Sequence, residues 1–216
     1  MNTVAGRATD DAGARELKTW QQPSQLLPLL LGQLDIGRQI TVLEVGRARP
    51  DTVDFFSQFK CRIHFADLYS AELLSNPPEE ISQQQLQKEF RTLFNFPTGT
   101  WLNLILFWDF LNYLDTNLLK AFCSAINPYL QQGTLGHGFG MRNAATSLAN
   151  QEYGIHHLES FNVRRRDTAQ LPYFPLPQAK LQEGLSCFTI DRGMLLPDGR
   201  QEMLLSAKLA SRLKQK

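Results

Sequence analysis

Ile40-Thr41-Val42-Leu43-Glu44-Val45-Gly46, followed by Arg62-Ile63-His64-Phe65-Ala66-Asp67, is the stretch that decides how this chain folds. Each piece is a short apolar or β-branched run that ends in an acid or a turn glycine. Runs of that kind suit strands buried on both faces, and so a parallel sheet with helices between its strands. The ligand crevice of such a sheet lies beyond the carboxyl ends of the strands. A glycine turn there lets backbone N–H groups reach an anion at a helix N-terminus. An acid ending the next strand can accept two hydrogen bonds from ribose hydroxyls. The loop after Gly46 breaks the glycine-rich pattern, because it reads Arg47-Ala48-Arg49-Pro50.

On the amino-terminal side, Met1 to Gly13 is small and polar and predicts a disordered segment, with residues 14–216 as a single domain. Leu17, Trp20, Leu26, Leu27, Leu30, Leu31 and Leu34 have helical spacing, interrupted at Pro23 and Pro28. On the other side, Pro50 suits the first turn of a helix running to Phe59, where its missing N–H costs nothing. Residues 70–94 read as helix and loop, broken at Asn76-Pro77-Pro78. Trp101 to Trp108 is the strongest strand signal, and Asp109 stands at its end. Thr116 to Leu130 has helical spacing closed by Gly133, and Thr134 to Phe139 reads as another strand. Residues 141–177 look irregular, with Pro172, Pro175 and Pro177 crowded together. Gln178 to Gln182 is a short helix ended by Gly184. Leu185 to Met194 and Glu202 to Ala207 are strands joined by the Pro197-Asp198-Gly199 turn, which makes an antiparallel hairpin.

Composition narrows the class. The chain has 216 residues, 43% of them hydrophobic and 20% charged, as in a globular protein with one sizeable core. A net charge of +1 gives no global field toward nucleic acid or an anionic membrane. Arg164-Arg165-Arg166 reads as a solvated loop, and Lys208, Arg212, Lys214 and Lys216 as a frayed terminus. Cys61, Cys123 and Cys187 are widely spaced with no C-x-x-C pair, which predicts reduced thiols in a cytoplasm. No apolar run is long enough for a signal peptide or a membrane span.

With these residues in place, the chain resembles the class I S-adenosylmethionine-dependent methyltransferases from about Leu30 to Ala207. Val42-Leu43-Glu44-Val45-Gly46 resembles that family's first motif, and Phe65-Ala66-Asp67-Leu68 its second. Phe96 to Leu114 is similar to the run into its fourth strand, and the Gly184–Ala207 hairpin to its final two strands. The resemblance implies a Rossmann-like α/β fold: a mostly parallel seven-stranded sheet with a C-terminal antiparallel hairpin and helices on both faces. It also implies S-adenosylmethionine as cofactor, held by Glu44, Gly46, Arg47, Ala48, Asp67, Leu68, Phe107, Trp108 and Asp109, with Asp67 as the ribose acid. The leading reading is therefore a methyltransferase of unidentified acceptor. The competing one is a non-catalytic methyltransferase-like scaffold that binds a partner. Methyl transfer asks mainly for positioning, since the sulfonium carbon is already activated.

The departures from the pattern carry their own expectations. If position 48 needs positive φ, alanine costs roughly 1–2 kcal/mol there. Pro50 removes one N–H from the turn, and Asn103 stands where the family often has aspartate. Arg47 and Arg49 either pair with the methionine carboxylate or fill the crevice. Asp109 contacts a ligand or caps a helix, and Phe107 and Trp108 face an adenine or the core. His137, between Gly136 and Gly138, is either a general base or a residue merely accommodated. His156 and His157 are adjacent, so in an extended strand they point to opposite sides. Leu171 to Pro175 forms either a lid or a plain connection.

Overall fold

The computed structural model describes residues 18–76, 80–141 and 149–209. The disorder expected of Met1 to Gly13 and the break expected at Pro77-Pro78 lie outside them. In chain order the elements are β1 (Thr19–Pro23), α1 (Leu26–Leu31), β2 (Ile40–Glu44), α2 (Pro50–Ser57), β3 (Cys61–Phe65), α3 (Glu72–Ser75) and α4 (Gln83–Phe94). Then follow β4 (Leu102–Trp108), α5 (Thr116–Ile126), β5 (Leu130–Met141), β6 (Gln151–His157), β7 (Ser160–Arg165), α6 (Gln178–Gly184), β8 (Phe188–Leu195) and β9 (Arg200–Ala207).

The main sheet has the order β3-β2-β4-β5-β9-β8. β3, β2, β4 and β5 run parallel, and β9 and β8 close the sheet antiparallel. This is the expected Rossmann-like α/β architecture with its terminal hairpin, but with six strands rather than seven. The reason lies between β3 and β4. That stretch is glutamine-rich, and Ser82 and Gln85 form a reciprocal capping box that commits it to α4. No strand forms there among the described residues, so β3 is the edge. Pro50 does open α2, with Arg49 as its extended N-cap. Gly133 has φ +89, yet it lies within β5 rather than closing α5.

A second sheet, antiparallel and ordered β1-β7-β6, was not expected. It corrects two readings. Trp20 belongs to a strand rather than a helix, pairing opposite Val163. Much of the stretch expected to be irregular is a β6–β7 hairpin. Its inner face supplies Tyr153, Ile155, Phe161 and Val163 to the core. The hairpin packs along α2, where the Ile155 N–H donates to Thr52 Oγ1 at 3.2 Å. A Cβ on Gly154 would lie 2.6 Å from the Asp51 side-chain carboxyl, so glycine leaves room for that carboxyl beneath β6.

Glycine also explains β5. A Cβ on Gly136 would come within 2.7 Å of the Phe107 ring. Phe107 packs there, on the face of the sheet where its ring meets Phe122 of α5 and Phe188 of β8. The glycine run is thus a bed for large rings. No helix of the described residues is long and apolar enough to cross a membrane.

Candidate functional site

The carboxyl ends of β2, β3 and β4 bring Glu44, Asp67 and Asp109 to one crevice. Glu44 is 2% exposed. Its Oε1 accepts from the Trp108 indole N–H and, at 3.3 Å, from the Gly46 N–H, while Oε2 has no partner. Burial pushes its pKa up from the ordinary 4.5 to about 8, against the pull of the Trp108 hydrogen bond. Burial thus favours the protonated, neutral form of Glu44.

Trp108 is what fills the space above it. β4 shifts register against β5 between Leu106 and Trp108, and Trp108 has φ +50, a left-handed conformation that a bulky side chain rarely adopts. The indole stacks on Tyr153 of the hairpin with centroids 5.5 Å apart and planes at 11°. It also meets Phe161 edge-on at 5.5 Å. A strained backbone held by surrounding packing often marks a functional position. Here the strain aims an aromatic plug.

Charged side chains close the rest. Arg47 Nε donates to Asp67 Oδ2 at 3.1 Å, and Ser70 Oγ donates to the same oxygen at 2.6 Å. Arg49 forks onto Asp51 at 3.2 and 3.0 Å and reaches Glu152 of β6 at 3.1 Å. Glu152 also accepts from Arg164. Burial works against the charge on Asp51, yet the Arg49 guanidinium holds its pKa below the ordinary aspartate value. Asp109 is fully buried. It accepts from the Tyr69 hydroxyl at 2.7 Å and lies 4.0 Å from Arg166, whose guanidinium is 3.6 Å from the Tyr69 ring centroid. Burial lifts the Asp109 pKa to about 6 despite Arg166.

Of the expected residues, Glu44, Gly46, Arg47 and Trp108 line what remains of the crevice, together with Arg49, Tyr69, Glu152, Tyr153 and Arg166. Asp67 and Asp109 touch it through Arg47 and Tyr69. Leu68 and Phe107 are core residues, 1% and 0% exposed, and Phe107 faces the helices. Ala48 is exposed and does not have positive φ, so the expected strain is absent. Asn103 accepts from the Thr41 N–H at 2.8 Å, a structural tie between β4 and β2.

His137 is fully buried, bonded to Glu202 at 2.8 Å, and Glu202 also accepts from Ser24. That network anchors α1 to the sheet and has no access to a substrate. His156 and His157 do not point apart: a bulge between Ile155 and His157 sets their ring centroids 4.0 Å apart. The arginine run also splits by role, since Arg165 is exposed while Arg166 is buried over Tyr69. Tyr69 follows Asp67 and Leu68 directly, which was the available signal for it. Glu152 and Tyr153 gave none.

The crevice itself measures about 10 Å³, room for one water at most. A ligand of drug size asks for roughly 300–1,000 Å³. Of the two Asp67 oxygens that ribose hydroxyls need, Oδ2 is taken by Arg47 and Ser70 and Oδ1 is left buried. As arranged, these residues do not fit S-adenosylmethionine.

No protein-family model matches the chain, and no curated protein matches it. Solved structures do. A methyltransferase from Clostridium acetobutylicum, S-adenosylmethionine-dependent by name, is 15% identical over 78% of this chain and 83% of its own, with a TM-score of 0.45. The 1,6-didemethyltoxoflavin-N1-methyltransferase of Burkholderia thailandensis, solved with S-adenosylhomocysteine, is 14% identical over 86% and 78%, with a TM-score of 0.47. The CcbJ methyltransferase of Streptomyces caelestis is 12% identical over 84% and 94%, with a TM-score of 0.44. What those names say of ligands and reactions describes those proteins alone.

Proposed function

We propose that this chain is a methyltransferase-like scaffold that works by binding a partner, with its crevice held shut by its own side chains. One observation carries the reading: only about 10 Å³ is left between Glu44, Arg47, Trp108 and Tyr153. The residues that close it come from β4, the turn before α2 and the β6–β7 hairpin, and they are tied by the Trp108–Glu44, Arg47–Asp67 and Arg49–Glu152 contacts. The partner is unidentified, and nothing in the net charge of +1 favours nucleic acid or membrane. Three free thiols suit a reducing cytoplasm.

A second reading, S-adenosylmethionine-dependent methyl transfer to an unidentified acceptor, is favoured by a different observation. Glu44 Oε2, Asp67 Oδ1, Asp109 Oδ2 and Arg166 Nε are buried around the crevice without partners. Unpaired buried polar atoms cost about 1–3 kcal/mol each, and a polar ligand admitted by a lifted hairpin relieves them. Calorimetric titration with S-adenosylmethionine and S-adenosylhomocysteine separates the two. The scaffold reading expects no heat and no rise in melting temperature at millimolar ligand. Micromolar binding that Asp67→Ala abolishes replaces it with the enzyme reading.

A further inference from the structure

At the opposite end of the main sheet, a groove of about 880 Å³ runs along the amino ends of β4 and β5. A second groove of about 330 Å³ lies beside it, toward β2 and β3. Trp101 and Gln131 line both. Trp101 is 48% exposed, although an aromatic side chain of this kind commonly buries about 150–250 Å². An indole left open where two grooves meet is a flat apolar platform, extended in the larger groove by Pro128, Leu130, Ala207 and Leu209 and edged there by amides and a hydroxyl.

The walls define the ligand. Asn127, Gln132 and Thr189 stand in the larger groove, Thr41 and Asn103 in the smaller. No carboxylate lines either one among the described residues, which disfavours a cationic ligand. Lys208 is the cation of the larger groove and Arg62 that of the smaller. His64, with Nε2 unpartnered, adds a polar atom rather than a charge, because burial and the nearby Arg62 lower its pKa. A single strand of nucleic acid stacks on aromatics but asks for a groove that tracks its phosphates with cations. One cation per groove does not make that track. Amides and hydroxyls around one aromatic face instead match a ring with an apolar C–H face and a hydroxyl-bearing edge.

We propose that the paired grooves at the amino end of the sheet bind a hydroxyl-rich saccharide, one ring stacked on Trp101 and its hydroxyls bonded to the amides and hydroxyls of the walls. The site is separate from the carboxyl-end crevice and stands whether or not that crevice takes S-adenosylmethionine.

Saturation-transfer NMR of the full chain with cellotriose, maltotriose and chitotriose, each at millimolar concentration, tests it, with octathymidylate as a parallel probe. At least one trisaccharide is expected to bind. Trp101→Ala should weaken that binding about three- to tenfold, the loss of one aromatic face, while Trp101→Phe keeps most of it. Both variants should melt with the wild type, since the indole is half exposed. Binding by no trisaccharide overturns the proposal. So does binding that survives Trp101→Ala, or Trp101-dependent binding of octathymidylate alone.

Discussion

At the carboxyl ends of β2, β3 and β4 charged and aromatic side chains close over one another, and about 10 Å³ is left over. At the opposite end of the sheet an exposed indole stands between two open grooves, one of about 880 Å³ at the amino ends of β4 and β5 and one of about 330 Å³ toward β2 and β3. An open α/β sheet ordinarily keeps its ligand space beyond the carboxyl ends. Here the space is at the opposite end. The difference arises from what the chain adds at each end. The carboxyl ends receive a hairpin that brings Glu152, Tyr153 and Arg164 to Arg49 and Trp108, whereas nothing among the described residues covers Trp101. Acids at the carboxyl ends of these strands are therefore compatible with a crevice of almost no volume.

The contrast breaks most visibly at Trp108. Trp108→Ala should cost about 3–5 kcal/mol, as for other large-to-small changes in a core, measured by urea unfolding. It also separates two causes of closure. If the indole alone bars the cofactor, the variant gains heat with S-adenosylhomocysteine that the wild type lacks. If it stays inert, the Arg47–Asp67 and Arg49–Glu152 pairs suffice to close the site.

A smaller effect is expected from pH. Glu44 and Asp109 have folded pKa values of about 8 and about 6, raised by burial. The folded state thus holds protons that the unfolded chain releases above its ordinary carboxyl values. The stability these two groups contribute is fully present below those ordinary values and is lost as pH rises through 6 and then 8. Glu202 and Asp51 act in the opposite sense. Their folded pKa values are lowered, so their contribution is lost as pH falls. Unfolding free energy should then decline from pH 5 to pH 8, with a slope limited to about 2.7 kcal/mol per unit while both protons are held and to about 1.4 once Asp109 has released its own. Glu44→Gln should flatten that slope. An unchanged slope means that Glu44 is ionised in the fold.

The least effect falls on Arg47. Its pair with Asp67 is half exposed, and such pairs contribute about 0–1 kcal/mol. Arg47→Ala should barely shift the urea midpoint. A loss above about 1 kcal/mol places Arg47 among the groups that hold the crevice shut.

How much of this could be read from the residues follows from how local each signal is. β2 and β4 are short apolar runs, β3 is a short alternating run ended by Asp67, and the β8–β9 hairpin has a Pro-Asp-Gly turn, so each announces itself within ten or so residues. β1 carries Gln21, Gln22 and Pro23, while β6 and β7 carry paired histidines and arginines. Their alternation becomes visible only when they pair with one another. Glu44, Gly46 and Asp67 were legible because each ends a strand or opens its turn. Phe107 and Trp108 were legible as a pair but not in direction, because a register shift and a positive φ decide which of them faces the crevice. Tyr153 and Glu152 were invisible, being ordinary residues made important by a partner far along the chain.

The pairing of Thr19 with Arg164 has a consequence in time. The strand that borders the hairpin is near the start of the chain and its partner comes far later, so a large loop must close before the two can join. Contacts of that span form slowly and late. The expected order in refolding is the parallel core first, with its upper rim still bare, and the rim sewn over afterwards. Refolding followed by tryptophan emission should show this as a separate slow step.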